Sequence, residues 1–332
     1  MKDIDRIKLE RLKKTVSRNY RITRMYAEYL ERYPELIQAE MVDALTEGGE
    51  ITREEALVAI LSQLFGLDFA NSEDRAIIMN YLTPSVRILD GEKYRSDPYY
   101  KSIRIDNIRE GSWEYKLENY PPYRAVIAAD MIINDDFSEI PPLGFFAERF
   151  DFPAVLENGN EWMTLTPVDL DTSVEAIEAA HGRVVTFGLG LGYYAYMVSE
   201  KPEVESITVV EISEEVIRLF KTHILPQFPN KHKVKIVQSD AFEYAEHIMP
   251  GERFDVAFVD TWRDASDGEP MYVRMKPLEK LSPGTKFIYW IENFLKSRHR
   301  ALKLEKLLEM TETGSQDAPG DFDEFIKEYT GI

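Results

Sequence analysis

The residues of this chain that could do chemistry are glycines and acids that directly follow apolar, β-branched runs. Gly188, Gly190 and Gly192 come at every second position after the run 184–187. Glycine is needed where a turn takes unusual backbone angles and where the backbone must approach a ligand without a Cβ in between. A strand that ends in such a turn and leads into a helix is how parallel α/β sheets hold nucleotides. The glycines are therefore candidate ligand-binding residues, although a tight strand-to-helix turn alone would also require them.

Acids stand at the ends of the next two runs. Glu211 ends the second run, where a carboxylate can accept hydrogen bonds from both hydroxyls of a ribose. Asp240 and Ala241 follow the third run, where an acid can accept from the exocyclic amine of an adenine. Either acid could instead cap the helix after it, Glu211 together with Ser213 and Asp240 as an ordinary N-cap. Their place at strand ends favours ligand binding.

Asp260, Trp262 and Asp264 lie in one short loop after the apolar run 254–259. Carboxylates in such a loop can orient an amine or take its proton. The face of a tryptophan can stand against a cationic sulfonium or amine. Asp260 follows the strand directly, so the sheet sets its position, and Asp264 would face the same cavity if the loop turns. We predict that these three residues are catalytic; the alternative is a surface loop with one buried tryptophan.

These positions work together only in a sheet whose strands are parallel, because ligands bind at the edge where the carboxyl ends of such strands meet. Apolar and β-branched residues predict five strands, and these are 184–187, 207–211, 234–238, 254–259 and 285–290. Four of the five are followed at once by a glycine turn or an acid. A dinucleotide site of the dehydrogenase type needs its third glycine at position 193, which is Tyr193. The spacing therefore argues against NAD.

The chain resembles the class I S-adenosylmethionine-dependent methyltransferases over residues 183 to 292. The matching segments are GLGLG at 188–192, Glu211, SDA at 239–241, FDVAFVD at 254–260 and LSPG at 281–284. Within that superfamily it is most similar to the spermidine-synthase branch, in which an Asp-Ala also follows the third strand. The resemblance implies an α/β fold with a mostly parallel, Rossmann-like sheet, preceded here by a helical N-terminal module and a small β region. It also implies S-adenosyl-L-methionine as the cofactor, held by Gly188, Gly190, Gly192, Glu211, Asp240 and Ala241.

The function that this resemblance implies is that of an S-adenosylmethionine-dependent transferase, most simply a methyltransferase acting on a small, amine-containing acceptor. The spermidine-synthase branch carries Asp-Ser/Thr-Ser/Thr-Asp-Pro in the fourth-strand loop. This chain departs from it with Asp260-Thr261-Trp262-Arg263-Asp264. Two alternatives stay open. One is aminopropyl or aminocarboxypropyl transfer, and the other is a non-catalytic binding protein on the same scaffold, since a fold does not dictate a function.

The sequence pattern divides the chain into four consecutive segments. We predict a helical N-terminal module at 1–97, a small β-rich region at 98–167, the cofactor-binding domain at 168–292 and a helical tail at 293–332. Residues 1–32 form an amphipathic pattern that must pack on the rest of the chain or on another subunit, so a homo-oligomer through the N-terminal helices is an expectation. The resembled fold ends in an antiparallel strand pair. No such pattern follows Ile291, so either the sheet has five strands or N-terminal strands complete it.

Composition limits the classes of partner. The chain has 332 residues and a formal net charge of −19, which argues against nucleic acid or an anionic membrane as its partner. It has no cysteine, which excludes disulfides and thiolate metal sites, and its 5 histidines show no metal-ligand spacing. No metal site is therefore predicted. No apolar run reaches the ~20 residues of a transmembrane helix and no signal peptide opens the chain, so we expect a cytoplasmic protein.

Overall fold

A computed structural model describes residues 3–313 and 318–331 of the chain. Its α-helices are α1 (Asp3–Arg32), α2 (Ala39–Thr46), α3 (Arg53–Leu64), α4 (Ser72–Ile77), α5 (Thr83–Ser85), α6 (Gly91–Arg95), α7 (Pro98–Ser102), α8 (Pro167–Ala179), α9 (Tyr193–Ser199), α10 (Glu214–Leu219), α11 (Ala241–Glu243), α12 (Ala265–Met275), α13 (Glu292–Thr313) and α14 (Phe322–Thr330). Its strands are β1 (Val86–Leu89), β2 (Ile108–Glu110), β3 (Trp113–Tyr120), β4 (Ala125–Ile127), β5 (Ile132–Ile133), β6 (Glu139–Ile140), β7 (Leu143–Phe146), β8 (Phe150–Glu157), β9 (Asn160–Thr164), β10 (Gly182–Phe187), β11 (Val204–Glu211), β12 (Val234–Gln238), β13 (Val256–Val259) and β14 (Lys286–Tyr289). Short π-helical turns, Ile78–Leu82, Phe220–Ile224 and Tyr244–Ile248, continue α4, α10 and α11.

The described residues form two compact units, and neither unit is continuous in sequence. Unit 1 is drawn from Met1–Leu89, Tyr120–Arg149 and Asn293–Ile332, and unit 2 from Asp90–Asn119 and Phe150–Glu292. The strands predicted as one β-rich region at 98–167 divide between them, with β4 to β7 in unit 1 and β2, β8 and β9 in unit 2. The four predicted segments are consecutive stretches of sequence, whereas the two units are groups of residues in mutual contact. The segment boundaries therefore stay a prediction.

Unit 2 is built on a five-stranded sheet with the order β12-β11-β10-β13-β14, in which every neighbouring pair is parallel. The central strand β10 is buried along Val184, Val185, Thr186 and Phe187, as expected for a parallel sheet covered on both faces. This is an open, parallel α/β sheet, so the predicted α/β, Rossmann-like fold class is confirmed. Among the described residues no strand follows β14, and this sheet therefore has five strands.

The strand order also determines where a ligand can bind. The chain passes from β10 to β11 on one side and later from β12 across to β13 on the other side. A crevice forms at the carboxyl ends where the direction reverses, and this is the usual ligand position in open α/β sheets. It lies at the end of β10, next to the glycine turn.

A second sheet of unit 2, with the order β2-β3-β8-β9, precedes the parallel sheet in sequence. The hairpin between β8 and β9 turns at Asn158 and Gly159, whose φ angles of 53° and 79° suit a tight turn. Strand β9 ends at Thr164, because Thr166 is the N-cap of α8 and Pro167 is its first residue.

Unit 1 packs the N-terminal helices with two small sheets, β1-β7-β4 and β5-β6, and with the C-terminal helices. The amphipathic pattern at the start of the predicted helical module forms α1, which spans Asp3–Arg32. Leu9 and Leu12 of this helix pack with Phe325 and Tyr329 of α14, so this part of its apolar face has partners in its own chain. Assembly of subunits through these helices stays a prediction. Within the described ranges, no helix is both long and apolar enough to span a bilayer.

Candidate functional site

One cavity of about 760 Å³ opens at the carboxyl ends of β10 to β13 in unit 2. Most of the predicted site residues line it, and they are Gly188, Gly190, Glu211, Asp240, Ala241, Asp260, Trp262 and Asp264. Gly192 does not line the cavity but is the N-cap of α9. The sequence analysis missed several lining residues, among them Met163, Asp169, Thr261, Met271 and Trp290.

The glycine turn has the backbone angles that only glycine adopts without strain. Gly188, Gly190 and Gly192 have φ angles of 97°, 49° and 75°. A Cβ on Gly188 would lie 1.9 Å from the carbonyl oxygen of Asp260, and one on Gly192 would lie 2.2 Å from the ring of Phe220. These two glycines are thus required by the close packing of the protein itself.

Gly190 is covered by a side chain from the neighbouring hairpin. A Cβ at Gly190 would lie 1.9 Å from Sδ of Met163, which is on β9. The same sulfur accepts a hydrogen bond from the backbone N–H of Leu191 at 3.2 Å. A methyl thioether of the protein therefore occupies the space over the turn. A ligand that used this N–H would have to replace Met163.

Glu211 ends β11 and holds the glycine turn from the side. Its Oε2 accepts from the N–H of Leu189 at 3.1 Å, and its Oε1 accepts from the N–H of Ser213 at 2.8 Å. Burial raises the pKa of Glu211, and these backbone hydrogen bonds oppose that rise. The N-cap of α10 is Ser213 rather than Glu211. Glu211 lines the cavity with its carboxylate between the turn and the strand end.

Asp240 and Ala241 lie at the end of β12, where the predicted adenine end of a nucleoside would bind. Asp240 is the N-cap of α11, and its Oδ1 accepts from the N–H groups of Phe242 and Glu243 at 2.9 and 3.0 Å. Asp240 therefore caps a helix, which was the alternative to ligand binding in the sequence analysis. Only Oδ1 makes these bonds, and Asp240 still lines the cavity.

Asp260 is fixed by the sheet. Its N–H donates to the carbonyl of Phe187 at 2.9 Å, and its own carbonyl packs on the Cα of Gly188. Within the described ranges no group donates a hydrogen bond to its carboxyl. Burial, and then the charge of Asp169, raise the pKa of Asp260 to about 8. Asp260 is thus partly buried and lines the cavity, and its pKa is close to neutral pH.

Trp262 and Asp264 continue the same loop with different environments. Trp262 is only 6% exposed, its ring stacks on Tyr289 at an interplanar angle of 10°, and its indole N–H has no partner in the described structure. Asp264 is the N-cap of α12, and its Oδ1 accepts from the N–H of Ser266 at 2.6 Å. Burial opposes ionisation of Asp264, but hydrogen bonds from Ser266 and the backbone outweigh it and lower the pKa. Asp264 reaches the cavity as a cap, and its catalytic role stays a prediction.

Asp169 is the functional candidate that the sequence analysis missed. It is the third residue of α8, only 7% exposed, and its Oδ2 accepts from both N–H and Oγ1 of Thr166 at 2.8 and 2.7 Å. Burial raises the pKa of Asp169 to about 6 despite these hydrogen bonds. The sequence signal was a capping box, Thr166-Pro167-Val168-Asp169, directly before the glycine strand.

The charges around the cavity are mostly of one sign. The acidic residues among its described lining are Glu161, Asp169, Glu211, Asp240, Asp260 and Asp264. The basic residue there is Arg263, which lies 3.6 Å from Asp267 and over the ring of Trp162. The cavity therefore favours a cationic ligand. No group of three or more acidic or histidine side chains in the described chain has the arrangement of a metal site.

Comparisons with known proteins find only partial structural likenesses. No protein-family model matches the sequence, and no curated protein matches it. A probable spermidine synthase from Corynebacterium glutamicum shares 20% identity over 48% of this chain, with a TM-score of 0.29. A spermidine synthase in complex with the transition state analogue AdoDATO shares 16% over 47%, with a TM-score of 0.32. A precorrin 8W decarboxylase from Methanobacterium thermoautotrophicum shares 18% over 45%, with a TM-score of 0.29.

The similarity covers only part of these proteins as well. The chain spans 52% of the Corynebacterium protein, 61% of the second synthase and 73% of the decarboxylase. At these identities the likeness says nothing about reaction or ligand, and function has to be inferred from the site.

Proposed function

We propose that this chain is an S-adenosylmethionine-dependent transferase, most simply a methyltransferase that acts on a small amine. The observation that carries the proposal is the row of acids at consecutive strand ends, Glu211, Asp240 and Asp260, around one cavity beside a glycine turn. Two of them would take hydrogen bonds from a nucleoside, and the third has no partner among the described residues. A structural role alone does not explain an unpartnered carboxyl there.

The cavity meets the chemical requirements of this cofactor. Its volume of about 760 Å³ is within the range of small-molecule sites. The indole N–H of Trp262 and the hydroxyl of Thr261 are buried without a partner in the described structure, and both residues line the cavity. Glu211 would hold the ribose, Asp240 and Ala241 would face the adenine, and the acidic surroundings suit a sulfonium.

When bound, the cofactor supplies a methyl group activated by the positive charge of its sulfur. The protein then has to align the acceptor nitrogen with that methyl group and to manage one proton. Asp260 is placed for both tasks, because its backbone is fixed between β10 and β13 and its carboxyl points at no protein partner. In its ionised form it can accept the proton that the amine loses on transfer, and the raised pKa of about 8 makes that form a stronger base than an ordinary carboxylate. Trp262 would shield this centre from water.

A second candidate is aminopropyl transfer from decarboxylated S-adenosylmethionine. One observation favours it: Arg263 is the basic residue of the described lining, and it already pairs with Asp267, so no free cation is available for a cofactor carboxylate. A non-catalytic binding protein is the third candidate. The partners that we propose are accordingly a small-molecule acceptor and neither nucleic acid nor membrane, in a cytoplasmic setting.

The experiment that separates these candidates is product analysis. Protein is incubated with S-adenosylmethionine, or with its decarboxylated form, and a panel of linear amines, and products are identified by mass spectrometry. S-adenosylhomocysteine with a methylated amine supports the first candidate. Methylthioadenosine with an extended amine supports the second. Binding of either cofactor without turnover of any amine would contradict the proposed enzyme and leave a binding protein.

A further inference from the structure

Met163 is a side chain of the protein that occupies part of the candidate ligand site. Its Sδ accepts a hydrogen bond from the N–H of Leu191 at 3.2 Å, and a Cβ at Gly190 would lie 1.9 Å from the same sulfur. A thioether sulfur is a weak acceptor, and the methionine side chain turns about three rotatable bonds. A ligand that brings a group of its own over the glycine turn can therefore displace this contact.

The strand order determines which part of a nucleoside ligand would reach this position. Along the carboxyl edge of the parallel sheet, Asp240 follows β12, Glu211 ends β11, the glycine turn follows β10, and Asp260 follows β13. The proposed contacts to adenine and ribose are therefore on one side of the turn, and Asp260 is on the other. Whatever a ligand carries beyond its ribose has to pass over the turn, which is where Met163 lies.

Strand β9 carries Met163 along the wall of the cavity. This strand is at the edge of its sheet, and all four residues from 161 to 164 line the cavity. Its pairing with β8 is irregular between Val155 and Leu156, where Trp162 is the extra residue. Bulges of this kind are common beside active sites, because they change the direction in which a side chain points. The bulge next to Met163 indicates that β9 serves the cavity as well as its own sheet.

Met163 is not a core methionine. Met249 and Met275 of the same unit are 1% and 0% exposed, whereas Met163 is half-buried and lines the cavity. A methionine that only fills a core is surrounded by other side chains, and its truncation leaves a closed void. Truncation of Met163 would instead enlarge the open cavity. The side chain is thus placed where it affects what the cavity admits.

We propose that Met163 is a specificity-determining residue, which disfavours nucleosides with a long chain on their sulfur relative to those that end close to the ribose. The inference rests on the proposed function, because it concerns the same nucleoside site. A nucleoside with only a methyl group on its sulfur binds without moving Met163. A nucleoside with an aminocarboxypropyl chain has to displace the thioether from the N–H of Leu191, and this lowers its net affinity. Specificity of this kind is a difference between two affinities.

The test is calorimetric titration of wild type and Met163→Ala with S-adenosylhomocysteine and with methylthioadenosine. The two probes share the adenosine and a thioether sulfur, and they differ in the chain on that sulfur. Met163→Ala should raise the affinity for S-adenosylhomocysteine by about threefold, the scale of one weak hydrogen bond, and leave the affinity for methylthioadenosine unchanged. The readout is the ratio of the two Kd values, because a general effect on folding or on nucleoside binding changes both values equally.

The matched control is Met271→Ala. Met271 is also half-buried and lines the same cavity, but it comes from α12. This variant should leave the ratio of the Kd values unchanged. If Met163→Ala does not fold, Met163→Val replaces it, because valine is shorter than methionine and suits a strand.

The outcomes separate the inference from the proposed function. If both nucleosides bind and their Kd ratio is the same in wild type and Met163→Ala, the inference is overturned and the function stands. An equal shift of the ratio in Met271→Ala would also overturn it. A shift specific to Met163→Ala, in a protein that transfers nothing from either cofactor to an amine, would support the inference and contradict the function. No binding of either nucleoside would contradict both.

Discussion

Two acids of this protein, Glu139 in unit 1 and Asp260 in unit 2, differ in the hydrogen-bond partners of their carboxyl groups. Glu139 is 6% exposed and fully partnered. Its Oε1 accepts from Nε of Arg300 at 3.0 Å and also from Nη2, and its Oε2 accepts from Oγ of Ser297 at 2.6 Å. Asp260 faces its cavity with no donor to its carboxyl in the described structure.

The difference separates an acid whose charge is neutralised inside the fold from an acid that no described donor contacts. Glu139 also donates its N–H to Oδ1 of Asn19, which accepts a second hydrogen bond from Tyr81, so its network joins β6, α13 and α1 inside unit 1. A buried charge of this kind is tolerated because its partners satisfy it. Asp260 has the burial without the partners, and a raised pKa in a cavity is typical of a functional group.

The largest effect should come from removing the partnered charge. Glu139→Gln leaves Arg300 buried without a counter-charge, and we expect the free energy of unfolding to fall by about 3–5 kcal/mol. Denaturant unfolding measures this. Glu148→Gln, at an exposed acid of the same unit, is the control and should change stability by less than about 0.5 kcal/mol. Equal stabilities of the two variants would show that Glu139 and Arg300 do not form a buried pair.

Replacing the unpartnered acid should lower turnover and leave the protein folded. Asp260→Asn should lower turnover by about 10²-fold, the usual worth of a positioned acid or base. Cofactor affinity should stay within about threefold, or ~0.7 kcal/mol. Steady-state rates and calorimetric Kd values separate the two effects. Equal losses of binding and turnover would make Asp260 a cofactor ligand, and no loss of either would make 260–264 an ordinary loop.

Stability should depend on pH through the same acid. The folded pKa of Asp260, about 8, lies above its ordinary value of 3.8, so the folded state holds a proton that the unfolded state has already lost. The stabilisation is complete below about pH 4 and is lost as pH rises toward 8. Asp169, raised from 3.8 to about 6, adds to the lower part of this window. Asp260→Asn should flatten the stability profile between pH 6 and 8 (~2 pH units), and an unchanged slope would argue against a raised pKa.

The smallest effect should come from the side chain that covers the glycine turn. Met163→Ala frees the N–H of Leu191 and the space over Gly190, and we expect the affinity for S-adenosylmethionine to rise by about threefold, the scale of one weak hydrogen bond. Met271→Ala, at another methionine of the cavity lining, is the matched control. A loss of affinity specific to Met163→Ala would instead make this thioether part of the ligand-binding wall.

Local patterns in the sequence predicted the five strands, the glycine turn and the place of Asp260. These features depend on residues that are neighbours in the chain, such as the run 254–259 and the acid after it. The order of these strands in the sheet is known from the structure alone. The alternatives at Asp240 could not be decided in the same way, because an N-cap and a ligand contact use the same residue type at the same place.

Features that depend on distant residues could not be predicted. Strand β1 has four residues and pairs in parallel with β7, more than fifty residues later, so its short pattern gave no signal of its own. The pair of Glu139 and Arg300 joins positions 161 residues apart. Asp169 was identifiable as a helix cap, but its approach to Asp260 arises only when α8 packs beside the end of β13. Tertiary packing, and not local propensity, decides these contacts.

The central claim is that the strand-end acids of unit 2 bind the nucleoside of S-adenosylmethionine, and its most direct test is calorimetric titration of wild type and Glu211→Ala with that cofactor. We expect the wild type to bind and the variant to bind about 1.5–3 kcal/mol more weakly, because a ribose loses hydrogen bonds to a charged acceptor. Circular dichroism must show that the variant is folded, since Glu211 also accepts from Leu189 and Ser213. No binding by the wild type, or an unchanged Kd in a folded variant, would contradict the account.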